Sequence, residues 1–132
     1  MSGHMFFADR YFGYDDAIYA ACRLMEIVSK SGKPLSAQTA GLPKLVSTPE
    51  LRVDSTDEEK FRLVARVAEE FSKTHKVIDV DGVRVLFDHG WGLLRASNTQ
   101  PVLVMRFEAT SQALLDEYQS AMDAALARAR QA

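Results

Sequence analysis

Hydrophobic and polar positions along this chain change period several times, and each change marks an element. Between residues 5 and 12 aromatic and apolar residues dominate. Asp15 then stands where a helix N-cap is expected. Ile18, Ala21, Cys22, Met25 and Val28 recur on one helical face before Gly32 and Pro34 stop the pattern. A short helical turn is predicted over residues 35–42, closed by Gly41 and Pro43, and the proline-flanked stretch 43–49 reads as a domain boundary.

Beyond that boundary, Leu51 and Val53 alternate with Arg52 and Asp54, the period-two signature of a half-buried strand over residues 50–54. Thr56 with Glu59 three positions later makes a capping-box pattern. Phe61, Val64, Ala65, Ala68 and Phe71 then form the apolar stripe of a helix expected to end near Thr74. Residues 77–80 and 83–87 flank Asp81-Gly82, whose chemistry suits the positive φ angles of a type I′ turn and so predicts a hairpin. A further strand, residues 91–96, follows the Asp88-His89-Gly90 turn and delivers Arg95 at its end. In residues 102–109, Leu103, Met105, Phe107 and Ala109 share one face while Arg106 and Glu108 share the other. The closing helix has Ser111 as cap, a stripe of Leu114, Tyr118, Ala121, Met122, Ala125 and Ala129, and Arg128 and Arg130 complementing the dipole at its end. These elements imply an α+β domain, an antiparallel four-stranded sheet with two helices on one face, preceded by a strand-helix segment.

Composition narrows the function classes. With 132 residues and 47% hydrophobic content the chain reads as soluble and globular, long enough to bury about two thirds of its unfolded surface. A net charge of −2, with 16 basic residues interspersed among 18 acidic ones, offers no basic stripe for nucleic acid and no attraction to an anionic membrane. No apolar run is long enough to span a bilayer and no signal-peptide pattern opens the chain, so a cytoplasmic location is expected. The single cysteine, Cys22, cannot form an internal disulfide, and its place on the helical stripe predicts a buried thiol.

Candidate chemistry concentrates in Arg95-Ala96-Ser97-Asn98-Thr99-Gln100-Pro101. One guanidinium, two hydroxyls and one amide crowd between two β-like runs. Arg presents a planar fork of donors that matches a phosphate edge, and Ser97, Asn98, Thr99 and the backbone N–H groups of a tight turn complete such a shell. The same residues are also ordinary turn formers, chosen for backbone reasons.

This loop resembles the R-A-S-N-T-x-P motif in the C-terminal domain of the α-D-phosphohexomutases, and among them the bacterial phosphomannomutase/phosphoglucomutase group. A second patch is similar too. Met1-Ser2-Gly3-His4 looks like the end of the family's G-E-M-S-G-H sugar-binding loop, and Met5-Phe6-Phe7 continues as the family's strand does. The alternative reading of Met1 to Met5, as the scar of an expression tag, rests on the same five residues. The family's T-x-S-H nucleophile loop and D-G-D-x-D metal loop do not occur in the sequence. The resemblance therefore implies a C-terminal piece, inactive alone. Residues 1–43 would be the tail of an α/β sugar-binding third domain, and residues 44–132 a phosphate-binding domain with a fold like the TATA-binding protein.

What the resemblance implies about function follows residue by residue. Arg95, Ala96, Ser97, Asn98 and Thr99 would hold the nonreacting phosphate of a phosphohexose. Met1, Ser2, Gly3 and His4 would contact the sugar, with His4 the candidate general acid/base. The reaction implied interconverts hexose 1-phosphate and hexose 6-phosphate, of glucose or mannose. A glucose 1,6-bisphosphate-type intermediate and magnesium are implied, the metal ligands lying outside this chain. The upstream domains of the same enzyme are the expected partners, with neither nucleic acid nor membrane among them. The competing expectation is a stand-alone α+β interaction module whose polar loop is a structural turn.

Two other stretches carry residue types that could do chemistry. Asp79 to Arg84 superficially resembles an acidic metal loop, but its glycine sits at the wrong offset and the hairpin accounts for each residue. Asp88-His89-Gly90-Trp91-Gly92 could present an imidazole and an indole to a sugar, but the preferred reading is a polar turn followed by a core Trp.

Overall fold

The structure, a computed structural model, describes residues 3–131. The chain divides into two units, Met1–Leu42 and Pro43–Ala132.

The first unit is built on helix α1 (Ala17–Ser31), followed by the four-residue α2 (Leu35–Gln38). Asp16 rather than Asp15 caps α1. Its backbone is extended, and its side chain accepts a 2.8 Å hydrogen bond from the Tyr19 amide. That N–H, and then the Tyr11 hydroxyl at 2.7 Å, hold the Asp16 carboxyl below its usual range. Gly32 ends the helix at φ +62°, where a side chain would be strained.

The strand expected ahead of α1 does not form. One antiparallel bridge joins Phe6 to Asp15, and the chain between them doubles back through a bond from the Gly13 amide to the Phe7 carbonyl. Tyr11 stacks on Tyr19 at 4.0 Å between ring centroids and Phe7 meets Tyr19 edge-on, which pins this segment to α1. No residue of α1 is buried, and the thiol of Cys22, expected inside, is exposed. Ile18 and Met25 lie on one side of the helix and Leu24 and Ile27 on the other, all exposed. Such a helix suits burial on both sides, and the described residues of this unit supply no sheet to bury it.

In the second unit, strands β1 (Val46–Ser47) and β2 (Leu51–Asp54) lie end to end along one edge of β6 (Val102–Ala109). The sheet continues antiparallel through β5 (Gly90–Ala96), β4 (Val83–Phe87) and β3 (Lys76–Ile78). Helices α3 (Lys60–Ser72) and α4 (Gln112–Gln131) pack on this sheet. The α+β class is as expected, but the strands number six rather than four. All five strand segments read from the sequence beyond residue 49 form, one more than the four-stranded sheet expected, and β1 adds the sixth, its two residues too few for any period to show in the sequence.

The register explains the core. Gly92 pairs with Phe107, Leu94 with Met105, and Ala96 with Leu103, so one face carries these residues together with Val83 and Val85. Leu63, Val67 and Phe71 of α3 and Leu115, Tyr118 and Met122 of α4 close over it. The α3 stripe is centred on Leu63 and Val67, while Phe61 and Ala65, expected on it, are exposed. The helix starts four residues after Thr56. Thr56 Oγ still accepts from the Glu59 amide at 3.3 Å, but the Glu59 carboxylate takes the Ser55 hydroxyl instead of closing a capping box.

Two turn-level expectations are corrected as well. Among the described residues only glycines have positive φ, so Asp81-Gly82 is not a type I′ pair, and a loop of residues 79–82 joins β3 to β4. Trp91 is not in the core. Because Gly92, Leu94 and Ala96 point inward, Trp91 must face the other way, where its indole N–H donates to Glu108 at 3.1 Å.

Leu94 has no solvent exposure, so Leu94→Ala should lower unfolding stability by about 3 kcal/mol through lost burial and a residual cavity. Leu93→Ala, one residue earlier on the open face, should cost less than half as much. Urea unfolding of both variants checks this, and equal losses would contradict the register.

Candidate functional site

Strand β5 sets the position of Arg95. Leu94 and Ala96 are buried on the helix side, so the residue between them leaves on the opposite face of the sheet. Arg52, Arg84 and Arg106 occupy that face too, by their register with Val104 and Leu93. The Arg84 guanidinium lies 4.1 Å from the Trp91 ring centroid.

The Arg95 side chain is 37% exposed and donates from one Nη to Asp81 at 3.0 Å. Asp81 arrives from the 79–82 loop, which can lie this close only because position 82 is glycine. Gly82 has φ +83°, and a Cβ there would sit 2.4 Å from the Leu94 carbonyl and 2.5 Å from the Arg95 Cβ. A pair this exposed contributes about 0–1 kcal/mol, so Asp81 orients the guanidinium without locking it. Five N–H donors exist on the group, and one is committed to Asp81.

The loop after β5 is held from inside. Ser97 is buried, and its Oγ accepts from the amides of Thr99 at 3.4 Å and Gln100 at 3.2 Å, an ordinary hydroxyl turn. Its own amide donates to the Val102 carbonyl at 3.0 Å. Expectations for this loop therefore divide. Asn98 and Thr99 are exposed, and no hydrogen bond to a protein group engages their side chains among the described residues. The Ser97 oxygen faces the loop, Ala96 is in the core, and the amides of Thr99 and Gln100 are turned to Ser97 instead of forming an outward nest.

Two further side chains and one backbone amide fix the loop's far end. Lys60, only 3% exposed, donates to the Gln100 carbonyl at 3.2 Å and to Asp57 at 2.6 Å. Arg52 donates to the Gln100 side-chain oxygen at 2.8 Å, and the Ser55 amide to the Pro101 carbonyl at 3.0 Å. Sequence reasoning missed Lys60, although a signal existed: it precedes Leu63 and Val67 by three and seven residues, on the buried stripe. In the sequence Asp81 and Arg52 read as turn and outward strand residues, and nothing local joins them to the loop.

Of the second candidate set, Met1 and Ser2 lie outside the described residues. Gly3 and His4 line a groove of about 570 Å³ with Met5, Phe7, Asp15 and Arg23, and the His4 ring bonds through Nδ1 to the Asp15 carboxylate. Among the described residues no group of three or more His, Cys, Asp or Glu side chains is placed to hold a metal ion. No helix among them is long and apolar enough to cross a membrane.

Lys60→Met preserves most of the packing and removes the bonds to Gln100 and Asp57. It should cost about 1–3 kcal/mol in stability and speed amide exchange at Ser97 and Val102 roughly tenfold, measured by hydrogen exchange. Unchanged exchange at these amides would show that Lys60 does not secure the loop.

Comparison with known proteins bears on both units. The family model for the phosphoglucomutase/phosphomannomutase C-terminal domain matches residues 50–125, and that for the alpha/beta/alpha domain III of the same family matches residues 1–46. A phosphomannomutase/phosphoglucomutase of Pseudomonas putida is 47% identical over 116 residues, 87% of this chain and 25% of the relative. A phosphoglucomutase of Neisseria gonorrhoeae is 45% identical over 130 residues, 96% of this chain and 28% of the relative. The crystal structure of a phosphoglucomutase/phosphomannomutase family protein from Burkholderia thailandensis superposes with a TM-score of 0.80 at 43% identity, covering 98% of this chain and 27% of that one. The chain thus spans about a quarter of the length of the curated relatives it matches.

Proposed function

The chain belongs to the phosphoglucomutase/phosphomannomutase family, and on that premise we propose that it is the C-terminal part of a phosphohexomutase, with its second unit gripping the phosphate that does not react. In this reading residues 1–43, within the stretch matched to domain III, complete a sugar site, and residues 44–132, which contain the stretch matched to the C-terminal domain, hold phosphate. A stand-alone interaction module is not favoured, since the relatives carry the names of mutases.

The proposed reaction interconverts hexose 1-phosphate and hexose 6-phosphate through a bound bisphosphate that turns round between two transfers. One phosphate reacts while its twin is held. Arg95 would bind two phosphate oxygens through its fork, and Asn98 and Thr99 would donate to the third. The observation that carries this reading is that Arg95, Asn98 and Thr99 keep free donors at one sheet end while Ser97, Lys60 and Arg52 fasten the loop beneath them. A loop already ordered before binding loses little entropy when the anion arrives. Asp81 would yield or share, since its exposed pair with Arg95 costs little to loosen.

Holding the spectator phosphate contributes to rate through alignment, because phosphoryl transfer depends on positioning and electrostatic preorganisation more than on covalent chemistry. His4 would exchange a proton with the reacting sugar hydroxyl. Magnesium, implied for the intact enzyme, does not fit the described residues, which present no cluster of ligands for it. The chemistry proposed for this chain is anion binding and proton transfer.

In the full-length enzyme, Arg95→Ala should remove charge-assisted bonds worth together about 2–4 kcal/mol and lower kcat/KM for the phosphosugar roughly thirtyfold or more. Thr99→Ala should cost about 1 kcal/mol, since a neutral hydroxyl makes one weaker bond. Steady-state kinetics with glucose 1-phosphate measures both, and wild-type values for Arg95→Ala would refute the assignment.

A further inference from the structure

Adjacent carboxylates at the start of α1 do different things. Asp16 caps the helix and is satisfied by the Tyr19 amide and the Tyr11 hydroxyl. Asp15 is released from capping, and the bridge that pairs it with Phe6 brings its carboxylate to the Nδ1 side of His4. Both side chains remain partly exposed, His4 at 56% and Asp15 at 40%, and both line the groove beside Phe7 and Arg23. We propose that Asp15 is the positioning residue of His4: its bond to Nδ1–H fixes the ring tautomer, leaves Nε2 as the proton acceptor, and stabilises the imidazolium formed when Nε2 is protonated.

This inference rests on the reading of His4 as the proton-transfer group. A carboxylate accepts but cannot donate, so a neutral His4 beside it carries its proton on Nδ1 and presents the Nε2 lone pair outward. In the step it serves, the sugar hydroxyl gives its proton to Nε2 while its oxygen bonds to phosphorus, and the bond from phosphorus to the oxygen of the donor phosphate ester breaks. In the reverse direction the imidazolium returns the proton to the departing sugar oxygen. The pair from the broken P–O bond leaves on the donor ester's oxygen, whose negative charge balances the positive charge His4 takes up with the proton. The Asp15 carboxylate takes no proton; its work is orientation and charge, as in other carboxylate–imidazole pairs.

The deciding experiment compares His4→Ala, Asp15→Asn and the double variant in the full-length enzyme. Asp15→Asn is expected to lower kcat roughly thirtyfold with KM within about twofold, because an amide can donate to Nδ1 and so favour the wrong tautomer. The double variant should be no slower than His4→Ala, since the two residues act as one unit. A wild-type kcat for Asp15→Asn, or losses that multiply in the double variant, would overturn the proposal while leaving His4 its role. Full activity in His4→Ala would sink the reading of His4 itself. Nitrogen-15 spectra of His4 in the present chain give a readout independent of folding defects in the variants: protonated Nδ1 with bare Nε2 is expected in the neutral ring, and the opposite tautomer would contradict the assignment.

Discussion

Between Leu94 and Ala96 the pleat of β5 leaves Arg95 one way out. Its neighbours are buried against α3 and α4, so the guanidinium must leave through the opposite face of the sheet. A slip of one residue would expose Leu94 and drive an arginine into an apolar core, at a cost of several kcal/mol for the unpaired charge alone. The pairing of Leu94 with Met105 and Ala96 with Leu103 therefore secures the core and aims the candidate phosphate-binding group with the same set of contacts. Stability and site geometry cannot be altered separately at this strand.

The loop beyond β5 follows a similar economy. Ser97 uses its hydroxyl on the backbone, Lys60 reaches the Gln100 carbonyl from the first turn of α3, and Arg52 reaches the Gln100 side chain from β2. Two elements, α3 and β2, thus converge on a turn that also braces itself. What remains uncommitted, Asn98 and Thr99, stands beside Arg95 in sequence with its donors free. Structural turn and anion cradle were competing accounts of these residues. The loop's atoms divide between the two: Ser97 serves the turn, while Arg95, Asn98 and Thr99 keep side-chain donors available for the anion proposed above.

Much of this was legible in the chain. The period-two alternation of residues 102–109 named the core face of β6 correctly, and four of the six positions expected on the α4 stripe are buried, Leu115 and Leu126 taking the places of the half-buried Leu114 and Ala121, because long, strongly patterned elements average over local exceptions. Shorter features were not legible. Two-residue β1 carries no pattern, Trp91 was assigned inward from its residue type when the parity of its strand sends it outward, and the α3 stripe was placed on Phe61 when a buried Lys60 marked its true edge. Cys22 and the expected first strand failed for another reason: α1 is apolar on two sides, and local pattern does not say whether a covering sheet is present. At the site, Arg95, Asn98 and Thr99 were readable from one loop, whereas Asp81, Lys60 and Asp15 depend on contacts made only by folding.

The account stands on an anion docking at the end of β5, and a titration reads that directly. Inorganic phosphate and glucose 1-phosphate, added in turn to the isotope-labelled chain, should shift the Arg95 side-chain N–H and the Asn98 and Thr99 signals, with millimolar affinity because only part of the proposed pocket is present. Shifts that centre on other residues at saturation, with Arg95, Asn98 and Thr99 unmoved, would contradict it.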